Sequence, residues 1–225
     1  MSDTPTTETG QPLVELTEVM ARLRAECAWK AGQTHRSLAR YLLEETHETL
    51  EAIDTGDAPH LREELGDLLL QVWFHAVIAA ESGAFTIDDV AADLIAKLVR
   101  RNPHVFAEGD AREAGAGDDS AAADRPDAAT INEVWESIKA SEKQRTSVFD
   151  GLPPTLPALL LADKVLDRLS RTTPSAEVSV LARRGVTSGD PAEDIGERLL
   201  ALVAEARDAG VDPEQALRDV VRRLA

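Results

Sequence analysis

Two short stretches place acids where a helix would be expected to bury apolar side chains. They are YLLEETHETLEAI, residues 41–53, and LREELGDLLLQVWFH, residues 61–75. At 100° per residue, Glu45 falls within about 20° of Leu38, on a face that also holds Leu42, Thr49 and Ala52. Glu48 and Glu44 follow toward the edge of that face, and Glu51 lies on the wet side. In the second stretch Leu61, Leu65, Leu68, Val72 and Ala76 make one apolar side, and Leu70, Trp73 and Val77 make another. A polar stripe of Glu64, Asp67, Gln71 and His75 is left over. The pairs Glu45/Glu48 and Glu64/Asp67 are spaced i, i+3, so each pair shares a helix face. If the two helices form an antiparallel hairpin, four carboxylates converge. Like charges that close either raise their pKa values or recruit a cation. Hard oxygen donors without cysteine point to Mg²⁺ or Mn²⁺. The plainer alternative is a solvated acidic surface, since the chain has 41 acidic residues.

A further stretch supplies positive charge. Asp93, Lys97 and Arg101 recur every four residues, opposite Val90, Ala91, Leu94 and Leu98. Alone they read as a solvated ladder of ion pairs. Beside a carboxylate–metal centre, Lys97 and Arg101 can instead hold phosphate oxygens, arginine through paired donors.

The elements that must position these groups are helices. Alanine, leucine, glutamate and arginine dominate, aromatics are 4%, and no stretch alternates like a series of strands. Residues 1–12 read as a disordered leader, followed by a helix from Leu13 to about Cys27. AWKAGQTHRS reads as a loop, with Thr34 or Ser37 capping a helix that runs to about Ile53. DTGDAP is a turn, and the next helix covers about His60 to Glu81. Thr86 and Asp89 form a variant capping box for a helix that ends at RNPHVF. Residues 108–129, rich in glycine, alanine and aspartate, read as a flexible loop before the helix in TINEVWESIKASEKQR. Later helices are expected near 157–170, 191–207 and 213–224.

Bulk properties bound the function. The 225 residues allow one or two domains, and 43% apolar content supports a real core. A formal charge of −17 argues against a nucleic-acid backbone as partner. No apolar run is long enough to span a membrane, and no signal peptide is visible. A single cysteine, Cys27, fits a reducing compartment, so a cytoplasmic location is expected.

Taken together, QTHRSLARYLLEETHETLEAI, LREELGDLLLQVWFHA and KLVRRNPHVF resemble the MazG family of nucleoside triphosphate pyrophosphohydrolases. The resemblance spans about residues 13–145. It implies an all-α helical bundle, dimeric, that hydrolyses nucleoside triphosphates to the monophosphate and pyrophosphate with Mg²⁺. The metal ligands it implies are Glu45, Glu48, Glu64 and Asp67. Glu44 or Glu48 would orient or deprotonate water, and Lys97 and Arg101 would bind phosphate. Trp29, Gln33 and His35 fall in the segment around base and sugar, and Trp135 and Lys139 fall near the nucleotide. From the residues alone, Trp135 also fits a core anchor, and Gln33, His35 and His75 fit loop capping or buried hydrogen bonding. Two departures stand out: the family usually reads CPWD where this chain has CAWK, and HPHVF where it has NPHVF. The first replaces an acid by Lys30 and weakens any expectation about the preferred nucleotide.

Residues 146–225 carry traces of a second, worn copy. AEDIGERLLALV, Ala192–Val203, resembles LREELGDLLLQV, but no EExxE helix precedes it, since SAEVSVLARRG has a single acid. This unit is therefore expected to be non-catalytic. Two rivals are a helical nucleotide-sensing or adaptor protein without activity, and a di-iron or di-manganese bundle. The second requires paired ExxH motifs, and only Glu44–His47 supplies one.

Overall fold

A computed structural model describes residues 10–106, 127–142, 146–172 and 189–224. Every regular element among the described residues is a helix, as expected. The helices are α1 (Gln11–Glu26), α2 (Ala28–Ala31), α3 (His35–Thr55), α4 (Ala58–Glu81), α5 (Ile87–Arg101), α6 (Pro103–Phe106), α7 (Ala128–Ser141), α8 (Ala158–Thr172), α9 (Pro191–Asp208) and α10 (Pro213–Arg222). The chain divides into two compact units, Met1–Ile138 and Lys139–Ala225, with the boundary inside α7.

In the first unit α3 and α4 form the most extensively packed pair, and α1 and α5 also pack on α4. Helix α4 is thus the central element, as its two apolar sides required. Met20, Leu38, Trp73 and Phe74 are the buried core, flanked by Leu16, Leu23, Tyr41, Leu69, Leu70 and Val77. Removing side chains of this size from water contributes about 1.5–3 kcal/mol each. The Trp73 indole N–H, which needs a partner when buried, donates to Thr17 Oγ1 at 3.0 Å.

Local chemistry sets the helix ends. Thr34 accepts the Ser37 backbone N–H, and Ser37 Oγ accepts the Thr34 N–H, so α3 opens on a reciprocal box. Helix α3 ends at Gly56, whose φ of 70° is the left-handed conformation glycine adopts without penalty. Asp57 then caps α4 by accepting the His60 N–H at 3.1 Å. Thr86 and Asp89 form the expected box for α5.

Some expected boundaries are corrected. AWKAGQTHRS is not all loop: Ala28–Ala31 form one helical turn, and His35 already belongs to α3 because Thr34 caps it. Gln11 and Pro12 belong to α1, where proline suits the first turn. The rest of the expected leader, residues 1–9, lies outside the described residues. So do residues 108–126 of the expected loop, while Ala128 and Ala129 are helical. SAEVSVLARRG also lies outside the described residues.

The second unit packs α8 against α9 and α10 around Leu166, Val203 and Ala204. Arg207 reaches from α9 to Asp163 and Asp167 on α8, each at 3.1 Å, and Arg171 also binds Asp167. Burial works against ionisation of Asp167, but the two arginines hold its pKa below the ordinary value.

Candidate metal and nucleotide site

Helices α3 and α4 run antiparallel, so the middle of α3 meets the start of α4. The register brings Glu45, Glu48 and Glu64 together, with one carboxylate oxygen from each within 4.8 Å of the others. Among the described residues this is the one group of three or more potential ligands drawn so close. Glu64 is buried, Glu45 half-buried and Glu48 exposed. The fourth expected ligand, Asp67, stands outside that tight triad but near enough to act on it. The Glu45 pKa is raised, first by burial, then by the charges of Asp67, Glu48 and Glu64 and a hydrogen bond with Glu48. Protein groups offset part of the repulsion: His60, one turn before Glu64, reaches its Oε1 at 2.9 Å. Oxygen donors of mixed burial, mutually repelling and with no sulfur among them, suit a hard divalent cation.

Other expected residues fall into separate places. Glu44 is exposed on α3. Lys97, also exposed, lines an open groove of about 710 Å³ along α5 with Phe85, Val90, Leu94 and Arg100. The Arg101 guanidinium lies 5.2 Å from the centre of the Trp135 ring, so α5 and α7 present a cation and an aromatic face together. Lys139 falls in the second compact unit. His47, the histidine of the lone ExxH, is exposed and absent from the carboxylate group.

Trp29 and Gln33 precede α3 and His35 opens it, two to three turns before the acids in its middle. Trp29 is 52% exposed and meets Tyr41 edge-on at 6.1 Å, with the Lys30 ammonium 5.4 Å from its ring. Gln33 donates to the Trp29 carbonyl and accepts from Ser37 Oγ, tying the short α2 turn to the α3 cap. His35 and His75 stack in parallel, with their Nδ1 atoms 2.7 Å apart. One ring must donate its Nδ1–H to the other, so the pair shares one proton on that side. Burial, then the nearby His35, pushes the His75 pKa down.

The sequence places Gln71 and His75 in the polar stripe of α4 but gives Gln71 no role. Gln71 is 4% exposed and its Oε1 is buried without a partner, as is His75 Nε2 one turn later. They continue the α4 stripe that begins with Glu64 and Asp67. Arg24 and Glu81 were missed, because 57 residues separate them in the chain. The stripe was visible in the helical period, whereas the Arg24–Glu81 pairing had no local signal.

Comparison with known proteins follows the same residues. Residues 33–106 match the MazG nucleotide pyrophosphohydrolase domain. The chain is 37% identical over 232 residues to the nucleoside triphosphate pyrophosphohydrolase/pyrophosphatase MazG of Thermotoga maritima, covering 96% of this chain and 84% of that one. It is 36% identical over 225 residues to the nucleoside triphosphate pyrophosphohydrolase of Escherichia coli strain K12, covering 90% and 80%. An uncharacterized 26.1 kDa protein of Streptomyces cacaoi is 44% identical over 212 residues, covering 93% and 78%.

Proposed function

The chain belongs to the MazG family of nucleoside triphosphate pyrophosphohydrolases, and from that premise we propose that it hydrolyses nucleoside triphosphates to the monophosphate and pyrophosphate, with Mg²⁺. The observation that carries the reading is the convergence of Glu45, Glu48 and Glu64 beside Asp67. These residues would hold the cation. When bound, it supplies charge neutralisation and a more acidic water. The chain's own groups account for the rest. Glu44 or Glu48, both exposed on α3, would orient the attacking water or accept its proton toward the α-phosphorus. Lys97 and Arg101 would offset charge on the phosphates and the leaving pyrophosphate. Trp135, already stacked by Arg101, and Lys139 would serve the nucleotide. Trp29, Gln33 and His35 would face base and sugar, with a role in clearing surplus or non-canonical nucleotides.

The same reading assigns the protein to the cytoplasm, from its nucleotide substrate and single cysteine. Among the described residues, no helix is long and apolar enough to cross a membrane. It also makes the protein a homodimer. In support, α5 has no buried residue, and Val90, Leu94, Ile95 and Leu98 are between 37% and 61% exposed. Residues 146–225 would be a degenerate unit without its own metal pair. In support, Arg207 neutralises Asp163 and Asp167.

The test is pyrophosphate release from a panel of triphosphates, with and without Mg²⁺. Mg²⁺-dependent release is expected, reduced by at least about 100-fold in Glu45→Gln and Asp67→Asn with helicity retained. Release at the parent rate by either variant rejects the ligand assignment.

A further inference from the structure

The guanidinium of Arg24 ties three parts of the first unit together. Its side chain is only 9% exposed. Nε and Nη2 donate to the two oxygens of Glu81 at 2.8 and 2.6 Å, a two-pronged pairing with the end of α4. Nη1 donates to the carbonyls of Lys30, Ala31 and Gln33, the last two at 3.1 and 3.2 Å. The plane lies 5.9 Å from the centre of the Phe74 ring. A four-residue helix such as α2 has too few internal hydrogen bonds to persist alone. Its closing carbonyls are held here by one buried cation. That segment carries Trp29, more than half exposed, and Lys30, whose ammonium lies 5.4 and 5.5 Å from the Trp29 and Phe74 rings.

The segment is linked to the helix that carries Glu64 and Asp67 through Phe74. Phe74, on which Arg24 and Lys30 both rest, follows Asp67 by seven residues of α4, about 10 Å of helix rise.

We propose that Arg24 is a positioning residue for nucleoside selection: by clamping the Lys30, Ala31 and Gln33 carbonyls it sets the place of the Trp29–Gln33 segment against the base. This rests on the pyrophosphohydrolase reading and on that segment facing the nucleoside. Arg24 binds Glu81 and backbone carbonyls and none of Glu45, Glu48, Glu64 or Asp67, so its loss acts on recognition and leaves the chemistry of the acids intact. Lysine keeps the charge but cannot hold Glu81 with two donors and the carbonyls at once.

The experiment compares wild type, Arg24→Lys and Glu81→Gln by kcat and KM on purine and pyrimidine triphosphates, and by inhibition with inorganic tripolyphosphate. In Arg24→Lys, KM for the preferred triphosphate is expected to rise about tenfold and preference among bases to flatten, while kcat stays within about threefold. Glu81→Gln shifts KM in the same direction by less. Tripolyphosphate, which has no base, inhibits all three proteins alike within about twofold. An unchanged KM overturns the proposal. So does a parallel weakening of tripolyphosphate inhibition, or a failure of Glu81→Gln to fold, since either marks a merely structural role. A wild type that binds tripolyphosphate but cleaves no triphosphate rejects the pyrophosphohydrolase reading instead.

Discussion

At the scale of single residues, Glu45 stores repulsion that a ligand can relieve. Burial and three neighbouring acids hold its pKa up, so the ion-free protein is less stable than an isosteric neutral variant. Glu45→Gln is therefore expected to raise the melting temperature without added metal by about 2 °C, as read by calorimetry. Mg²⁺ should raise the melting temperature of the parent more than that of the variant. The His35–His75 pair makes a second prediction. His75 has a folded pKa below its ordinary 6.5, so between those values the unfolded chain binds the extra proton. Stability is then complete above about pH 6.5 and declines as pH falls through and below it. A proton on each ring would also set two Nδ1–H groups against each other across the 2.7 Å contact. Melting curves from pH 7.5 to 5 should show a steeper decline for the parent than for His75→Phe. Equal slopes would mean that the pair carries no linkage.

At the scale of elements, the site depends on how α3 starts and stops. The Thr34–Ser37 box fixes where His35 enters the helix, and Gly56 fixes the turn into α4. Thr34→Ala removes an acceptor for an orphan backbone N–H and should cost about 1 kcal/mol. Gly56→Ala forces a Cβ into the left-handed region and should cost about 1–2 kcal/mol, even though no atom lies within 4 Å of that Cβ. The penalty would thus be conformational and free of any clash. Urea titration measures both: each variant should lower the midpoint with little change in slope. The helices themselves were legible from apolar period and capping residues. The α2 turn was not, because four residues are too few to show a period and its support comes from Arg24 on another helix.

At the scale of the whole molecule, α5 is strongly amphipathic, yet among the described residues its apolar side stays about half exposed. Leaving Leu94, Ile95 and Leu98 in water is unfavourable, and a second copy is the covering our functional reading assigns. Leu94→Glu should convert a dimer to a monomer in sedimentation velocity, with loss of activity if Lys97 and Arg101 depend on that pairing. A parent chain that sediments as a monomer at micromolar concentration would remove the dimer from the reading.

The sequence by itself determined the helical class, the central place of α4 and the presence of acids on otherwise apolar faces. Period and capping are local properties, expressed within a few residues. It also carried the family resemblance, through the order and intervals of its acid motifs. Only the tertiary structure decided that Glu45, Glu48 and Glu64 close within 4.8 Å of one another, with the Asp67 charge acting on Glu45. It alone joined Arg24 to Glu81 and His35 to His75. Such distances depend on the register of one helix against another, which packing of the whole unit sets and no local stretch encodes.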